Sequence, residues 1–429
     1  MKCHPDTGIL PGAADWKATR KELKTVRYVK IIDNIAAGIT RDSTPDLGDG
    51  YMGTTDLEQA DSLLVRASSL HEMEFPENLR CIARSGSGFN NIPIEDCARR
   101  GIVVFNAPGG NSNAVKELIV GQIMLNSRDT LGGEKWIRDH ADDPAIEKDA
   151  EKAKKAFVGR EAIGRKVGVI GTGAVGSKVA NALVSLGMDV HGYDPFISVQ
   201  HAYELSHDVI RDTDLNEMCA GCDYLTLHVP AKEDTIKMVG TEQLNLMNRG
   251  AVLLNYARKE VVDEEAVAAA LESGQLSLFI TDFATPGVMK MKNTIVTPHM
   301  GACTRESESN CASMALGEMK DYLDNGNIRN SVNYPNCNMG TCTSGGRVAV
   351  LHANVPNMIG QITGVLASRN VNITRMINEA AGENAYTLVD TDAPLDQETI
   401  EELRRIPNVY RVRVVKPAEG IKGGVGLAN

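Results

Sequence analysis

Short apolar runs alternate with helical patterns along the first quarter of the chain. Four of them lie between residues 26 and 107, namely VRYVKIID, SLLVRA, LRCIARSGSG and GIVVFNAP, and they predict a small α/β unit. The segment SNAVKELIVGQIMLNSR has apolar residues at helical spacing and predicts a long helix. The charged stretch after it, RDHADDPAIEKDAEKAKKAF, predicts a solvated helix.

Residues 160 to 299 repeat the alternation with more continuous apolar runs. The segments DYLTLHVP, AVLLNYAR, LFITDF and NTIVTPH read as strands, and helical patterns such as DEEAVAAALESG separate them. Near-continuous apolar strands alternating with helices are typical of a parallel sheet that is buried on both faces. We therefore expect ligands beyond the carboxyl ends of these strands.

A third pattern begins after the helical segment ESESNCASMALGEMKDYLDNG. The stretch SVNYPNCNMGTCTSGG is rich in Asn, Gly, Ser and Thr and predicts a linker. The segments RVAVLHANV, NMIGQITGVLASR, VNITRMINEA, NAYTLVDTD, ETIEELRRI and YRVRVV then predict the order β-α-β-β-α-β, a ferredoxin-like plan.

Composition narrows the class of protein. With 429 residues, 42% hydrophobic and 24% charged, the chain is expected to be a soluble protein of several domains. It has neither a signal-peptide pattern nor a transmembrane-length apolar run, so a cytoplasmic location is expected. The net charge of −11 argues against a nucleic-acid surface. Nine scattered cysteines fit reduced thiols, and the pair Cys219 and Cys222 has no partners at metal spacing, which predicts packing and no metal site.

A glycine motif carries the strongest local signal. Gly171, Gly173 and Gly176 follow a predicted strand and open a predicted helix, which is the G-x-G-x-x-G arrangement for a dinucleotide pyrophosphate. Asp194 ends the next strand, where its carboxylate can accept hydrogen bonds from both ribose hydroxyls. The same carboxylate would repel a 2′-phosphate, and YDPFISVQ contains no basic residue, so NAD is favoured over NADP.

Two charged or titratable side chains fall at predicted strand ends of this region. Histidine suits transfer of a hydroxyl proton, and arginine matches a carboxylate with its planar fork. Taken singly, Arg258 reads as a solvated loop residue and His299 as a loop or capping residue. Together, in a dinucleotide domain, they favour hydride-transfer catalysis.

Several motifs resemble the D-isomer-specific 2-hydroxyacid dehydrogenases, in which a nucleotide domain is inserted into a split substrate domain. These are NYAR followed by VVDEEAV, FITDF, and TPHMGACTRESE. The resemblance implies a flavodoxin-like substrate domain over 1–107 and 300–330, a Rossmann NAD-binding domain over 108–299, a linker over 331–346, a ferredoxin-like ACT domain over 347–416 and a tail over 417–429.

The resemblance also implies the site residues. Arg258 matches the arginine of the family's N-x-x-R motif, and His299 matches the histidine after Thr-Pro. Residues 85 to 88, Ser85, Gly86, Ser87 and Gly88, match the glycine loop at the substrate carboxylate, where backbone amides form a nest. The positions expected to line the cofactor are Gly171, Gly173, Ala174, Val175, Gly176, Asp194, Pro230, Tyr256, Ala257, Arg258, Asp282, His299 and Gly301.

The expected reaction is the NAD-dependent oxidation of D-3-phosphoglycerate to 3-phosphohydroxypyruvate, which begins phosphorylated serine synthesis. Arg66 and Arg84 match substrate arginines, and two arginines suit a phosphate, although either alone reads as a surface residue. Two alternatives remain, a glyoxylate or hydroxypyruvate reductase of the same family and a dinucleotide-sensing binding protein like the corepressors with this fold.

The C-terminal region resembles the ACT regulatory domain. In serine-inhibited family members a histidine and two asparagines, here His352, Asn354 and Asn372, hold the effector between two such domains, which implies serine as effector. Alone, His352 reads as a solvated strand-end residue. Asn357 replaces the family's glycine after VP, and asparagine tolerates a left-handed backbone. The resemblance further implies a homodimer or homotetramer.

One stretch departs from the family pattern. Family members have Asp-x-Phe-x-x-Glu-Pro where this chain has FITDFATPG, residues 279–287. Asp282 aligns with the aspartate near the nicotinamide, but Thr285 or Gly287 falls where the glutamate that pairs with the catalytic histidine is expected. A carboxylate at that place would raise a histidine pKa and fix its tautomer. Three alternatives remain: His299 works without a carboxylate partner and with a less favourable pKa, Asp282 serves both tasks, or a carboxylate from elsewhere, such as Glu306, is the partner.

Overall fold

The chain forms two compact units in a computed structural model that describes residues 26–33, 47 and 49–415. One unit comprises Met1–Ala107 with Ala312–Asn429, and the other comprises Pro108–Cys311. The second unit extends twelve residues past the predicted end of the NAD-binding domain at 299, and the C-terminal module shares the first unit with the N-terminal segment.

The first unit begins with a five-stranded sheet in the order β2-β1-β3-β4-β5, in which all neighbouring strands are parallel. This is the flavodoxin-like order. Every residue of β3 and of the edge strand β5 is buried, and apart from Ser62 these residues are apolar. The elements are β1 (Arg27–Ile31), β2 (Tyr51–Thr54), β3 (Ser62–Val65), β4 (Cys81–Arg84), α1 (Ile94–Arg99) and β5 (Val103–Phe105).

The second unit is built on a seven-stranded parallel sheet in the order β12-β11-β10-β9-β6-β7-β8. The strand order reverses beside β6, so the carboxyl ends of β6 and β9 flank the topological switch point where Rossmann sheets bind ligands. Its strands are β6 (Lys166–Ile170), β7 (Asp189–Tyr193), β8 (Ile210–Asp212), β9 (Tyr224–Leu227), β10 (Ala251–Asn255), β11 (Leu276–Thr281) and β12 (Thr294–Val296).

Helices cover both faces of this sheet. The long helix predicted after the first region is confirmed as α2, and the charged stretch contains α4, of which no residue is buried. The helices of the unit are α2 (Ser112–Asn126), α3 (Thr130–Asp139), α4 (Ile146–Ala153), α5 (Gly176–Ser185), α6 (Val199–Glu204), α7 (Leu215–Cys219), α8 (Thr241–Leu246) and α9 (Glu264–Glu272). Cys219 and Cys222 are fully buried in the apolar core, which confirms their packing role.

The next helix, α10 (Arg305–Asn325), leads back into the first unit. The segment 331–346 was predicted as a linker. Residues 331–345 lie in no helix or named strand, and strand β13 begins at Gly346, yet the segment packs closely on the first sheet. Asn333 accepts a hydrogen bond from the Val104 amide and donates one to the Ile102 carbonyl, both at 2.9 Å. Tyr334 Oη donates to the Ala98 carbonyl at 2.6 Å. The segment is therefore part of the packed fold of this unit.

The C-terminal module has the predicted order β-α-β-β-α-β and an antiparallel sheet in the order β14-β15-β13-β16. Arginines of the edge strand join it to the rest of the unit: Arg411 donates to the Glu77 carbonyl at 3.1 Å, and the Arg413 guanidinium lies 4.3 Å from the Tyr322 ring centre. The elements are β13 (Gly346–Ala353), α11 (Met358–Ser368), β14 (Ile373–Ala381), β15 (Asn384–Thr391), α12 (Gln397–Arg404) and β16 (Val409–Val415).

Candidate active site

In the glycine turn between β6 and α5, a side chain would find open space at Gly173 but would clash with the backbone at Gly171 and Gly176. A Cβ at Gly173 would meet nothing within 4 Å, whereas a Cβ at Gly176 would lie 1.8 Å from the Gly171 carbonyl oxygen. Gly171 has a φ of +84°, and a Cβ there would lie 2.8 Å from the His228 carbonyl oxygen. The turn thus has the tight bend, the open approach and the close helix contact that a dinucleotide pyrophosphate requires.

Asp194 lies directly after β7 and beside this turn. One carboxylate oxygen accepts the Thr172 amide at 2.9 Å, and the other accepts the Phe196 amide at 3.0 Å. These two bonds hold an anionic acceptor next to the glycine turn. The Asp194 carboxylate fits the adenosine ribose of NAD, and the glycine turn fits its pyrophosphate, so together they form a suitable site for that cofactor.

Arg258 is presented by a short turn after β10. The buried side chain of Asn255 holds this turn, because its Oδ1 accepts the Ala257 amide at 3.1 Å and its Nδ2 donates to the Arg258 carbonyl at 2.9 Å. The Arg258 side chain itself is exposed. Asn255, the first residue of the N-x-x-R motif, therefore fixes the backbone that carries Arg258, the last residue of the motif. The sequence pattern did not predict this role.

His299 lies in the loop after β12 with a left-handed backbone, φ +55°. That conformation is uncommon for a residue with a Cβ and marks local strain of the kind found at functional sites. Its amide donates to the Asp282 carbonyl at 3.2 Å. The imidazole is exposed and contacts the Phe283 ring edge to face, with 5.4 Å between ring centres.

The Asp282 carboxylate is buried and occupied by the same loop. Met300 donates its amide to one oxygen at 2.8 Å, Gly301 donates its amide to the other at 2.7 Å, and the Thr297 hydroxyl donates to the first. Among the residues that the structure describes, no hydrogen bond joins this carboxylate to the His299 ring. Asp282 thus supports the histidine loop through its backbone. Its expected pairing with the imidazole is not seen.

The second alternative for a partner carboxylate was Glu306. This residue lies in the first turn of α10 and is exposed. No hydrogen bond or ion pair joins it to His299 in the described part of the chain. Thr285, which falls at the family's glutamate position in one alignment, donates instead to a Glu264 carboxylate oxygen at 2.8 Å. The described residues therefore offer the imidazole no carboxylate partner.

The other positions expected to line the cofactor differ in exposure. Ala174 and Val175 are half-buried beside the glycine turn, and Pro230 is exposed after β9. Tyr256 and Ala257 are each 8% exposed and belong to apolar core clusters. Burial raises the pKa of the Tyr256 phenol to about 12.

In the first unit, the expected carboxylate loop already uses part of its backbone. The Ser85 amide donates to the Val65 carbonyl at 2.8 Å, and the Gly86 amide donates to the Arg84 carbonyl at 2.9 Å. The amides of Ser85 and Gly86 are therefore bonded within the fold and are not donors of an anion nest. The structure brings the two expected substrate arginines together, since Arg84 Nε donates to the Arg66 carbonyl at 3.0 Å.

The expected effector residues do not form one cluster within the chain. His352 is 2% exposed, and its ring nitrogens lie 2.8 Å from the Ala353 carbonyl and 2.8 Å from the Thr387 hydroxyl. Asn354 follows β13 and Asn372 precedes β14, at opposite ends of the sheet, and both are exposed. Asn357 has a φ of +68°, which confirms the expectation that it tolerates the left-handed turn.

Two negative findings limit other chemistry. Over residues 26–33, 47 and 49–415, no group of three or more His, Cys, Asp or Glu side chains is arranged to hold a metal ion. None of the helices described there combines the length and apolar character needed to cross a membrane.

Comparison with known proteins identifies the second unit. Residues 120–301 match the family described as D-isomer specific 2-hydroxyacid dehydrogenase, NAD binding domain. A D-3-phosphoglycerate dehydrogenase of Methanocaldococcus jannaschii is 32% identical over 289 residues, which cover 65% of this chain and 53% of that protein. One from Escherichia coli K12 is 29% identical over 346 residues, covering 76% of this chain and 79% of that protein. This chain thus spans about half of the archaeal relative.

A solved structure agrees with these matches. NAD⁺-bound 3-phosphoglycerate dehydrogenase from Entamoeba histolytica is 25% identical with a TM-score of 0.55, over 72% of this chain and 99% of that one. Residues 120–301 therefore match an NAD-binding domain of the D-isomer-specific 2-hydroxyacid dehydrogenase type, as the motifs predicted, and the chain is similar to D-3-phosphoglycerate dehydrogenases over 65% to 76% of its length. These matches support an NAD-dependent oxidoreductase, and the expected cofactor, NAD, is confirmed.

Proposed function

We propose that the chain oxidises D-3-phosphoglycerate to 3-phosphohydroxypyruvate with NAD. The observation that carries the proposal is the presentation of Arg258 and His299 after β10 and β12, at the carboxyl-end side of the NAD-binding sheet. Both side chains are exposed, and each is held by a buried polar residue behind it, Asn255 for Arg258 and Asp282 for His299. The relatives that match most of the chain are D-3-phosphoglycerate dehydrogenases by name.

In the proposed mechanism each side chain has one task. His299 accepts the proton of the substrate C2 hydroxyl at a ring nitrogen, a task for which neutral imidazole is suited. The Arg258 guanidinium binds the substrate carboxylate with two parallel hydrogen bonds and so orients C2. NAD, when bound at the glycine turn and Asp194, supplies the acceptor for the hydride that leaves C2. The left-handed backbone conformation of His299 sets the direction in which its side chain leaves the loop.

The proposal assigns the substrate phosphate to arginines of the first unit. Arg66 and Arg84 are half-buried residues at the ends of adjacent strands β3 and β4, and their contact through the Arg66 carbonyl keeps the two backbones together. Two guanidinium groups suit a phosphate dianion better than an uncharged hydroxyl. The backbone of residues 87 and 88 is proposed to contact the substrate carboxylate.

A comparison of substrates tests the proposal. The purified chain would be assayed for NADH formation with D-3-phosphoglycerate and with D-glycerate, and for NADH consumption with hydroxypyruvate and glyoxylate. We expect D-3-phosphoglycerate to have the highest kcat/KM, with Arg84→Gln lowering it and leaving kcat/KM for D-glycerate unchanged. Higher kcat/KM for glyoxylate or hydroxypyruvate would favour the reductase alternative, and NADH binding without any turnover would favour the sensing protein.

We further propose that L-serine regulates the enzyme through the C-terminal module. Asn354 and Asn372 are exposed and their amides can both donate to a carboxylate and accept from an ammonium group. Since they lie at opposite ends of one sheet, the proposal requires two copies of the chain, in keeping with the expected homodimer or homotetramer. Calorimetry with L-serine tests it: we expect binding that Asn372→Asp abolishes and that the exposed-site control Asn370→Asp leaves intact.

A further inference from the structure

Glu318 of α10 is a buried carboxyl group in the first unit. The residue is only 6% exposed, and its Oε2 has no hydrogen-bond partner among the described residues. Burial raises its pKa to about 7, against the lowering effects of Asn330 and Arg329. A buried carboxyl with an unsatisfied oxygen lowers stability, so its presence calls for an explanation in terms of what its other oxygen holds.

That other oxygen, Oε1, accepts a hydrogen bond from Asn330 Nδ2 at 2.6 Å. Asn330 has a left-handed backbone with φ +54°, and its amide donates to Asn336 Oδ1 at 2.9 Å. The Glu318 carboxylate therefore holds the Asn330 side chain, and the side-chain oxygen of Asn336 holds its backbone. A non-glycine residue keeps such a conformation only where its surroundings hold it.

Asn330 in turn meets the strand end that carries the carboxylate loop. Its carbonyl accepts the Asn106 amide at 3.3 Å. Asn106 Nδ2 then donates to the Ser87 carbonyl at 2.7 Å, and the Ala107 amide donates to the Gly86 carbonyl at 2.9 Å. A continuous set of hydrogen bonds thus runs from Glu318 to the backbone of residues 86 and 87, entirely within one unit.

The loop at the end of this path has little freedom of its own. Gly86 has a φ of +146°, and a Cβ there would lie 2.2 Å from an Arg84 guanidinium nitrogen. The carbonyls of residues 86 and 87 are both held from residues 106 and 107, so their peptide planes set the direction of the following amides. A small shift of Asn106 is therefore passed to the amides of residues 87 and 88.

We propose that Glu318 is a positioning residue for the substrate-carboxylate loop, acting through Asn330 and Asn106. The inference rests on the proposed function, because it concerns the affinity of the loop for that substrate. Glu318 touches neither substrate nor cofactor. It fixes the Asn330 side chain and so the Asn330 carbonyl to which the Asn106 amide is bonded, and Asn106 in turn orients the backbone of the substrate-carboxylate loop.

Two variants separate this role from a merely structural one. Glu318→Leu removes the acceptor, and Glu318→Gln keeps an oxygen for Asn330 Nδ2. We expect the KM for D-3-phosphoglycerate to rise about five- to tenfold in Glu318→Leu, as for the loss of one hydrogen bond from uniform binding, with kcat within about twofold of wild type. Glu318→Gln restores the wild-type KM. The Kd for NADH, which binds in the other unit, stays unchanged in both.

A third variant keeps the test valid if the leucine variant fails to fold. Asn330→Gly preserves the left-handed backbone and removes only the side-chain amide, so the same rise in KM is expected, and its combination with Glu318→Leu adds nothing further. An unchanged KM in Asn330→Gly, or equal losses of kcat and NADH affinity, would overturn the inference. Absence of turnover in the wild type would instead overturn the proposed function.

Discussion

Replacement of Asp282 by asparagine separates support of the histidine loop from direct pairing with the imidazole. The carboxylate accepts three donors: Met300 and Thr297 on one oxygen and Gly301 on the other. In the wild type, the second carboxylate oxygen of Asp282 accepts the Gly301 amide at 2.7 Å. An asparagine that keeps its oxygen facing Met300 and Thr297 would place its NH₂ group there instead, so that two donors face each other. One charge-assisted bond is lost and one buried amide is left unpaired, which costs about 3 kcal/mol.

Urea unfolding and pH–rate profiles measure the two consequences. We expect Asp282→Asn to lower the free energy of unfolding by about 3 kcal/mol and kcat by about ten- to hundredfold, because the displaced loop misorients His299. The midpoint of the pH–rate profile should stay where it is in the wild type, since the carboxylate does not bond the ring. Asp208→Asn, at an exposed site, is the matched control and should change neither quantity.

The opposite pattern would refute this reasoning. If Asp282→Asn kept wild-type stability but moved the pH–rate midpoint by more than about half a unit, the carboxylate would act on the imidazole directly. Support of the loop would then be a minor role of the residue.

Changes at Glu318, at the glycine turn and at Arg258 are expected to alter stability, NADH binding and substrate binding, respectively. Glu318, whose pKa is raised from 4.5 to about 7 in the folded state, binds a proton more tightly folded than unfolded. The stability that this bound proton contributes is complete below pH 4.5 and is lost as the pH rises through 7. In urea unfolding, the free energy of unfolding of Glu318→Gln should therefore rise relative to wild type by up to about 3 kcal/mol between pH 4.5 and pH 8. Gly173→Ala should unfold like wild type but bind NADH at least tenfold more weakly by fluorescence titration, whereas Gly176→Ala should also lower the melting temperature, because its Cβ would lie 1.8 Å from a carbonyl oxygen. Arg258→Lys, which loses the two-pronged contact, should raise the KM for substrate about tenfold and leave the Kd for NADH unchanged in steady-state and binding assays.

The sequence was sufficient for the architecture where the pattern is continuous. The apolar runs around Leu63 and Val104 predicted strands of a small α/β unit, and the run around Leu253 predicted a buried parallel strand. Each residue lies in a buried strand of a parallel sheet. The order β-α-β-β-α-β of the C-terminal module was predictable because each strand and helix has a full repeat of its own periodicity. Burial on both faces leaves a signal in every residue of a strand, so these elements needed no tertiary information.

The supporting residues of the candidate site were beyond the sequence pattern. Asn255, Thr297 and Asn106 are polar residues beside strand ends, where polar residues are common whatever their role. Their side chains bond residues 3, 15 and 19 positions away in the sequence, and only the folded backbone shows which donor meets which acceptor. The same holds for His352, which read as a solvated strand-end residue or an effector ligand and is in fact buried with both ring nitrogens bonded.

We propose above all that His299 is the acid/base of an NAD-dependent oxidation of D-3-phosphoglycerate. The most direct measurement is NADH formation from this substrate by wild type, His299→Ala and His207→Ala, the last altering a histidine whose side chain is 94% exposed in the same unit. The Kd for NADH would be measured on the same samples. We predict that His299→Ala loses at least a hundredfold in kcat with an unchanged Kd, while His207→Ala matches wild type. Turnover of His299→Ala within about twofold of wild type would contradict the claim.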